Sequence, residues 1–123
     1  MQRVWRTVTG FYHVRARGVG KQLIFEGDED RWEFLELMRE CCCEEGVTVI
    51  AWCLMGNHVH LVLTDYEDRM SAAMHRLLLT YARRFNKRTG RTGHLFQNRF
   101  DRRSLDTDWQ VMEAIRSVHA DPQ

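Results

Sequence analysis

The stretch AWCLMGNHVHLVL, residues 51–63, decides how the chain folds. Gly56-Asn57 separates two apolar runs at the spacing of a two-residue hairpin turn. The run before it, Val47 to Met55, is apolar on both sides and predicts a strand covered on both faces. The run after it, His58 to Thr64, alternates: Val59, Leu61 and Leu63 point one way, and His58, His60, Val62 and Thr64 the other. A slip of one residue would carry the apolar set into water, so the register is set and both imidazoles share a face. Two histidines so placed are close enough to hold one metal ion. The competing reading is a pair of polar side chains on a solvated sheet face.

Working outward, Thr7 to Arg15 is rich in Val, Thr, Phe and Tyr and reads as a first strand. A glycine-bearing loop, RARGVGKQ, follows; its Gly-Val-Gly-Lys lacks the spacing of a phosphate loop. Asp28 to Glu45 reads as a helix with Asp28 as its cap, Leu35, Met38 and Cys42 at helical spacing, and Gly46 as its stop. Beyond the hairpin, Arg69 to Lys87 is a long amphipathic helix with Met70, Ala73, Met74, Leu77, Leu78, Tyr81 and Phe85 as its stripe. After the basic loop RTGRTGH, Leu95 to Leu105 is expected to form a bent fourth strand. Thr107 to Gln110 has the form of a capping box, and Val111, Ile115 and Val118 make the buried stripe of a last helix. The order β-α-β-β-α-β-α predicts an α+β fold: a ferredoxin-like β-α-β-β-α-β sandwich, an antiparallel sheet with helices on one face, and an extra C-terminal helix. With no repeats or linkers, residues 1–123 are expected to form one domain.

Composition narrows the function. With 44% hydrophobic residues the chain can bury a core without staples. No apolar run approaches the ~20 residues a membrane span needs, and the opening MQRVWRTVTG is not a signal peptide, so a cytoplasmic protein with no membrane partner is expected. Cys41, Cys42, Cys43 and Cys53 lack metal-cluster spacing and are expected to be reduced thiols packed as small hydrophobes. The net charge is only +1, but Arg83, Arg84, Lys87, Arg88, Arg91, Arg99, Arg102 and Arg103 crowd one segment against a single acid, Asp101. Phe85, His94, Phe96 and Phe100 are interleaved with them, a pattern that predicts contact with nucleic acid.

Two histidines leave an ion open to solvent, so a third ligand is expected. Ser117 and Asp121 lie on one face of the last helix, away from its apolar stripe, and His119 is near. A carboxylate with two imidazoles suits Mg²⁺, Mn²⁺ or Zn²⁺. His13 reads as a packed or surface residue, His75 as exposed, His94 as a phosphate contact, and Tyr81 as core. Trp5, Trp32, Trp52 and Trp109 read as core or rim.

The stretch AWCLMGNHVHLVL resembles the HUH motif of single-tyrosine transposases, above all the REP-associated tyrosine transposase group. The likeness continues through GFYHVRARG, YARRFNKRTGRTGHLFQNRF and AIRSVHADP, nearly the whole chain. It implies binding of single-stranded or hairpin DNA by a monomer or homodimer, and metal-assisted nicking through a 5′-phosphotyrosine link. His58 and His60 match the metal-binding histidines. Arg83, Arg84, Lys87, Arg88, Arg91, His94, Gln97, Arg99 and Arg102 become the expected DNA contacts. The family typically reads Arg-Tyr-(Ile/Val)-His-x-Asn-Pro near its end, where this chain has Arg116-Ser117-Val118-His119-Ala120-Asp121-Pro122. Ser117 therefore stands at the nucleophilic tyrosine and Asp121 at the third metal ligand. Relatives continue past the position of Gln123, so a domain truncated at its C-terminus, with a last helix that lacks part of its support, is expected. A serine hydroxyl lies nearer the backbone than a phenol of pKa ~10 and is far less acidic. Two alternatives to tyrosine chemistry follow: a catalytically silent DNA-binding regulator, and a phosphodiesterase using metal-bound water.

Overall fold

The computed structural model describes residues 9–97 and 99–120. The hairpin forms where the sequence places it: β2 (Thr48–Leu54) and β3 (His58–Thr64) are antiparallel, and Met55 N–H donates across the turn to the His58 carbonyl at 2.8 Å. β1 (Phe11–Arg17) pairs antiparallel with β3, and β4 (Asp101–Leu105) pairs antiparallel with β1. The sheet order is β2-β3-β1-β4, that of a ferredoxin-like fold. β1 begins later than Thr7; Thr7 and Val8 lie outside the described residues.

Two helices cover one face. α1 (Asp28–Glu45) and α2 (Met70–Thr89) pack on Tyr12, Val14, Ala16, Val59, Leu61 and Leu63. Leu61 is fully buried, and that burial contributes about 2 kcal/mol. Both helices end on a glycine in the left-handed region, Gly46 at φ 74° and Gly90 at φ 73°, a conformation that penalises any side chain. Asp28 is not the cap of α1. It is the first helical residue, while Asp30 turns back to accept the Glu26 N–H at 2.7 Å. α2 is capped by Asp65, whose carboxylate accepts the N–H groups of Arg69 and Met70, both at 2.9 Å.

α3 (Asp108–Ala120) lies on the other face, where Val111, Ala114 and Val118 close over Ala51, Val62 and Leu105. The expected capping box is present: Gln110 N–H donates to Thr107 Oγ1 at 3.1 Å, and Gln110 Oε1 accepts from the Asp106 and Thr107 N–H groups at 2.6 and 3.3 Å.

Three expectations need correction. β2 is covered on both faces only in part: Ala51 is buried beneath α3, and Val49 and Leu54 pack on the side of α1 and α2, but the strand lies at the sheet edge, where Ile50 and Trp52 are exposed. The fourth strand is shorter than Leu95–Leu105. Leu95, Gln97, Arg99 and Phe100 lie outside the sheet, and Phe96 makes only an isolated bridge to Gly18. Of the core-or-rim reading of the tryptophans, the core half fails: Trp32, Trp52 and Trp109 are 67%, 45% and 66% exposed, and Trp5 lies outside the described residues.

Candidate nucleic-acid and metal site

The strand registers bring one row of chemistry onto the α3 face. Cys53, His60, Arg15 and Asp101 are consecutive partners across all four strands. One row further along come Ala51, Val62, His13 and Arg103, and on the other side His58 stands opposite Arg17. The alternation that buries Val14 and Val59 therefore also gathers His13, His58 and His60 with three arginines.

The three rings form a chain. His58 and His60 have centroids 4.9 Å apart, and His13 and His60 5.4 Å apart. His13 Nε2 and His60 Nδ1 are 3.2 Å apart, a hydrogen bond whose donor depends on the tautomer. His58 Nδ1 lies 2.8 Å from Asn57 Oδ1 in the hairpin turn. Burial, then the guanidiniums of Arg103 and Arg15, hold the His13 imidazole below its ordinary pKa. Asp101 accepts from Arg15 at 3.1 Å and Arg17 at 3.4 Å, which holds its carboxyl below the usual range, the Arg15 hydrogen bond being the largest cause.

The donor set suits a divalent ion: two neutral-capable imidazoles on one face, each with its Nδ1 engaged, as ligating histidines are. Among the described residues no group of three or more His, Cys, Asp or Glu has metal-holding geometry. Asp121, the expected third ligand, lies outside the described residues. Ser117 is exposed on α3, about a quarter turn from the stripe that faces the sheet, and His119 is exposed nearby.

None of the three tyrosines reaches this face. Tyr12 and Tyr81 are buried in the core on the opposite side. Tyr81 donates to the Ile24 carbonyl at 2.5 Å, and burial drives its pKa far above the ordinary phenol value. Tyr66 is exposed but follows the far end of β3; Thr64, at that end, is about 13 Å along the strand from His60.

The expected DNA-contact residues divide. Arg83, His94, Gln97, Arg99 and Arg102 line an open groove of about 750 Å³ between α2 and the loop before β4, floored by Leu78, Phe96 and Phe100. His75 stands exposed on its wall. Lys87 is exposed on α2. Arg84 and Arg88 instead face α1: Arg84 pairs with Glu33 at 3.4 Å, and Arg88 with Glu33 at 2.9 Å and with Asp30. Arg91 is spent on its own loop, donating to Asn86 Oδ1 and to the carbonyls of Thr92, Gly93 and His94.

Sequence reasoning missed His13, Arg15, Arg17 and Arg103 as neighbours of the histidines. The alternation of β1 was visible, but the partner strand that gives it meaning is remote in sequence.

The comparisons with known proteins agree with this architecture. One solved structure, a REP-associated tyrosine transposase bound to a REP hairpin, superposes with a TM-score of 0.74 at 12% identity, over 97% of this chain and 70% of that one. A second, a putative transposase from Deinococcus radiodurans, gives 0.61 at 19% identity, over 98% and 97%. No curated protein matches the chain. At these identities the two structures speak for the fold alone, but the family model for IS200-like transposases matches residues 8–117, and the chain belongs to that family.

Proposed function

We propose that this domain binds single-stranded or hairpin DNA, holds a divalent ion on His58 and His60, and does not itself form the phosphotyrosine link. The observation that carries this reading is the α3 face of the sheet, where two histidines on one strand sit beside Arg15, Arg17 and Arg103. Around the β4 edge lies the groove of Arg83, Arg99 and Arg102, so a strand of DNA passing that edge meets cations on both sides. The half-buried Phe100 and the exposed Leu79 in the groove lining offer apolar surface on which an unpaired base can rest. Leu95, Phe96, Gln97, Arg99 and Phe100, outside the regular sheet, all line the groove.

An ion held by His58 and His60, with Asp121 as the proposed third ligand, would supply Lewis-acid polarisation of a backbone phosphate. The chain's own residues bind and orient. Arg15 and Arg17 are tied to Asp101 and so present fixed guanidiniums, while Arg103 adds charge one row away. The position that the family fills with tyrosine holds Ser117, and Tyr12, Tyr66 and Tyr81 are all placed elsewhere, so the reading is DNA binding without covalent capture by this chain.

The test is a denaturing gel of labelled hairpin DNA with Mn²⁺, beside anisotropy on the same hairpin. Binding at about micromolar Kd that weakens steeply with salt, with no adduct, is expected. Ser117→Tyr is expected to create an adduct, since a phenol there reaches several Å further from α3. An adduct from the unmodified chain that Tyr66→Phe abolishes would overturn the reading of the tyrosines. No binding at low salt would overturn the DNA reading.

A further inference from the structure

His13 and His60 are 47 residues apart and meet through ring nitrogens 3.2 Å apart. From this contact we infer that His13 is a positioning residue for the metal site: it accepts the Nδ1–H of His60 and turns the Nε2 of that ring toward the ion. The inference rests on the proposed metal site.

The Asn57 amide nitrogen points to the Lys21 carbonyl at 3.5 Å, which places its oxygen toward His58. An amide oxygen only accepts, so His58 Nδ1 is the donor of that 2.8 Å bond. His58 is thereby set as the Nδ1–H tautomer, with the lone pair on Nε2. For His60 to offer the same nitrogen to the same ion, its Nδ1 must also donate, and His13 Nε2 is what it meets. The two histidines are then matched in tautomer, with a turn asparagine at Nδ1 of one and a strand histidine at Nδ1 of the other. Such partners fix ring orientation and raise ligand basicity, and losing one weakens metal binding roughly 10–100-fold.

His13 is well held for this task. It lies on β1 between Tyr12 and Val14, both buried, so its backbone is anchored in the core. Its cross-strand partners, Val62 and Arg103, flank it on either side.

The test uses the whole 123-residue chain. In metal-free, ¹⁵N-histidine-labelled protein, long-range nitrogen–proton correlations report each tautomer. His58 and His60 are both expected as Nδ1–H. His13→Ala is expected to move His60 to a mixture with Nε2–H, leave His58 unchanged, and raise the calorimetric Kd for Mn²⁺ roughly 10–100-fold. His13→Gln, whose amide oxygen can accept the same hydrogen, is expected to restore the Kd to within about threefold. At saturating Co²⁺ the visible spectrum of His13→Ala is expected to match the wild type, because the donor set is unchanged. A changed Co²⁺ spectrum would make His13 a ligand and overturn the inference, as would Nε2–H at His60 in the wild type or an unchanged Kd in His13→Ala. Wild-type protein that shows the expected tautomers yet takes up neither ion sinks the metal reading, and the role of His13 toward an ion falls with it.

Discussion

Arg83 and Arg84 are adjacent on α2, and so are Lys87 and Arg88, yet the members of each pair have different work. Arg84 and Arg88 face α1 and tie the two helices together through Glu33 and Asp30. Arg83 faces the groove and Lys87 the solvent, and neither has an ion pair among the described residues. A helix turns ~100° per residue, so one basic run serves two surfaces. Charge summed over a segment measures attraction to a polyanion, but the facing helix decides which cations are available for it.

The sharpest way to break this contrast is to remove the groove set. Replacing Arg83, Arg99 and Arg102 together with Ala is expected to weaken hairpin binding on the order of 100-fold near 0.1 M salt and to flatten the salt slope by about two to three. Urea unfolding of that variant should keep its midpoint. Unchanged anisotropy titrations would return the groove to ordinary solvated surface.

The opposite half of the contrast is Arg88→Ala. Asp30 is 6% exposed and would keep only its bond from the Glu26 N–H, so a loss of about 1–3 kcal/mol is expected in urea unfolding. Hairpin affinity should move less than about twofold, since Arg88 contributes little long-range charge once paired. A large affinity loss without a stability loss would reverse the assignment of the two faces.

A smaller effect is expected from Tyr81→Phe. The Ile24 carbonyl loses its donor at 2.5 Å inside the core, for about 1 kcal/mol by thermal or urea unfolding. DNA binding should stay at the wild-type level, which separates core packing from function on the same helix.

The smallest probe concerns the cysteines. Burial, with Cys41 adding to it, raises the Cys42 thiol to about 11, whereas Cys43 is exposed. A thiol reagent at pH 8 should modify Cys43 within the native protein and leave Cys42 untouched until unfolding. Equal rates at both would show that α1 opens locally.

The hairpin, the helix stripes and the capping box were legible because each is a local code: a Gly-Asn turn, a period, a Thr-to-Gln spacing. What escaped was non-local. Nothing within β1 says that His13 will face His60, because that follows from a register made across 47 residues. The edge position of β2 escaped for a related reason: an apolar run reports a wish to be covered, not how far the neighbouring elements reach over it. The division of the arginines needed the position of Glu33, which only the packing of α1 on α2 supplies. The two histidines proposed to hold a metal were visible, while the neighbours that contact them were not.

The two-residue period of β1 also sets how this site can change through descent. Deleting one residue between Phe11 and His13 would bring Val14 to the outer face and send the histidine inward, so the frame of the strand resists insertions and deletions even where single replacements are tolerated. Helix α3 has a frame of its own in the stripe that packs on the sheet, but an exposed position off that stripe, such as Ser117, can exchange one side chain for another without disturbing a single strand pairing. On the proposed reading of Ser117, a lineage of such domains can lose or regain a nucleophile by point replacement there while the histidine face is inherited intact.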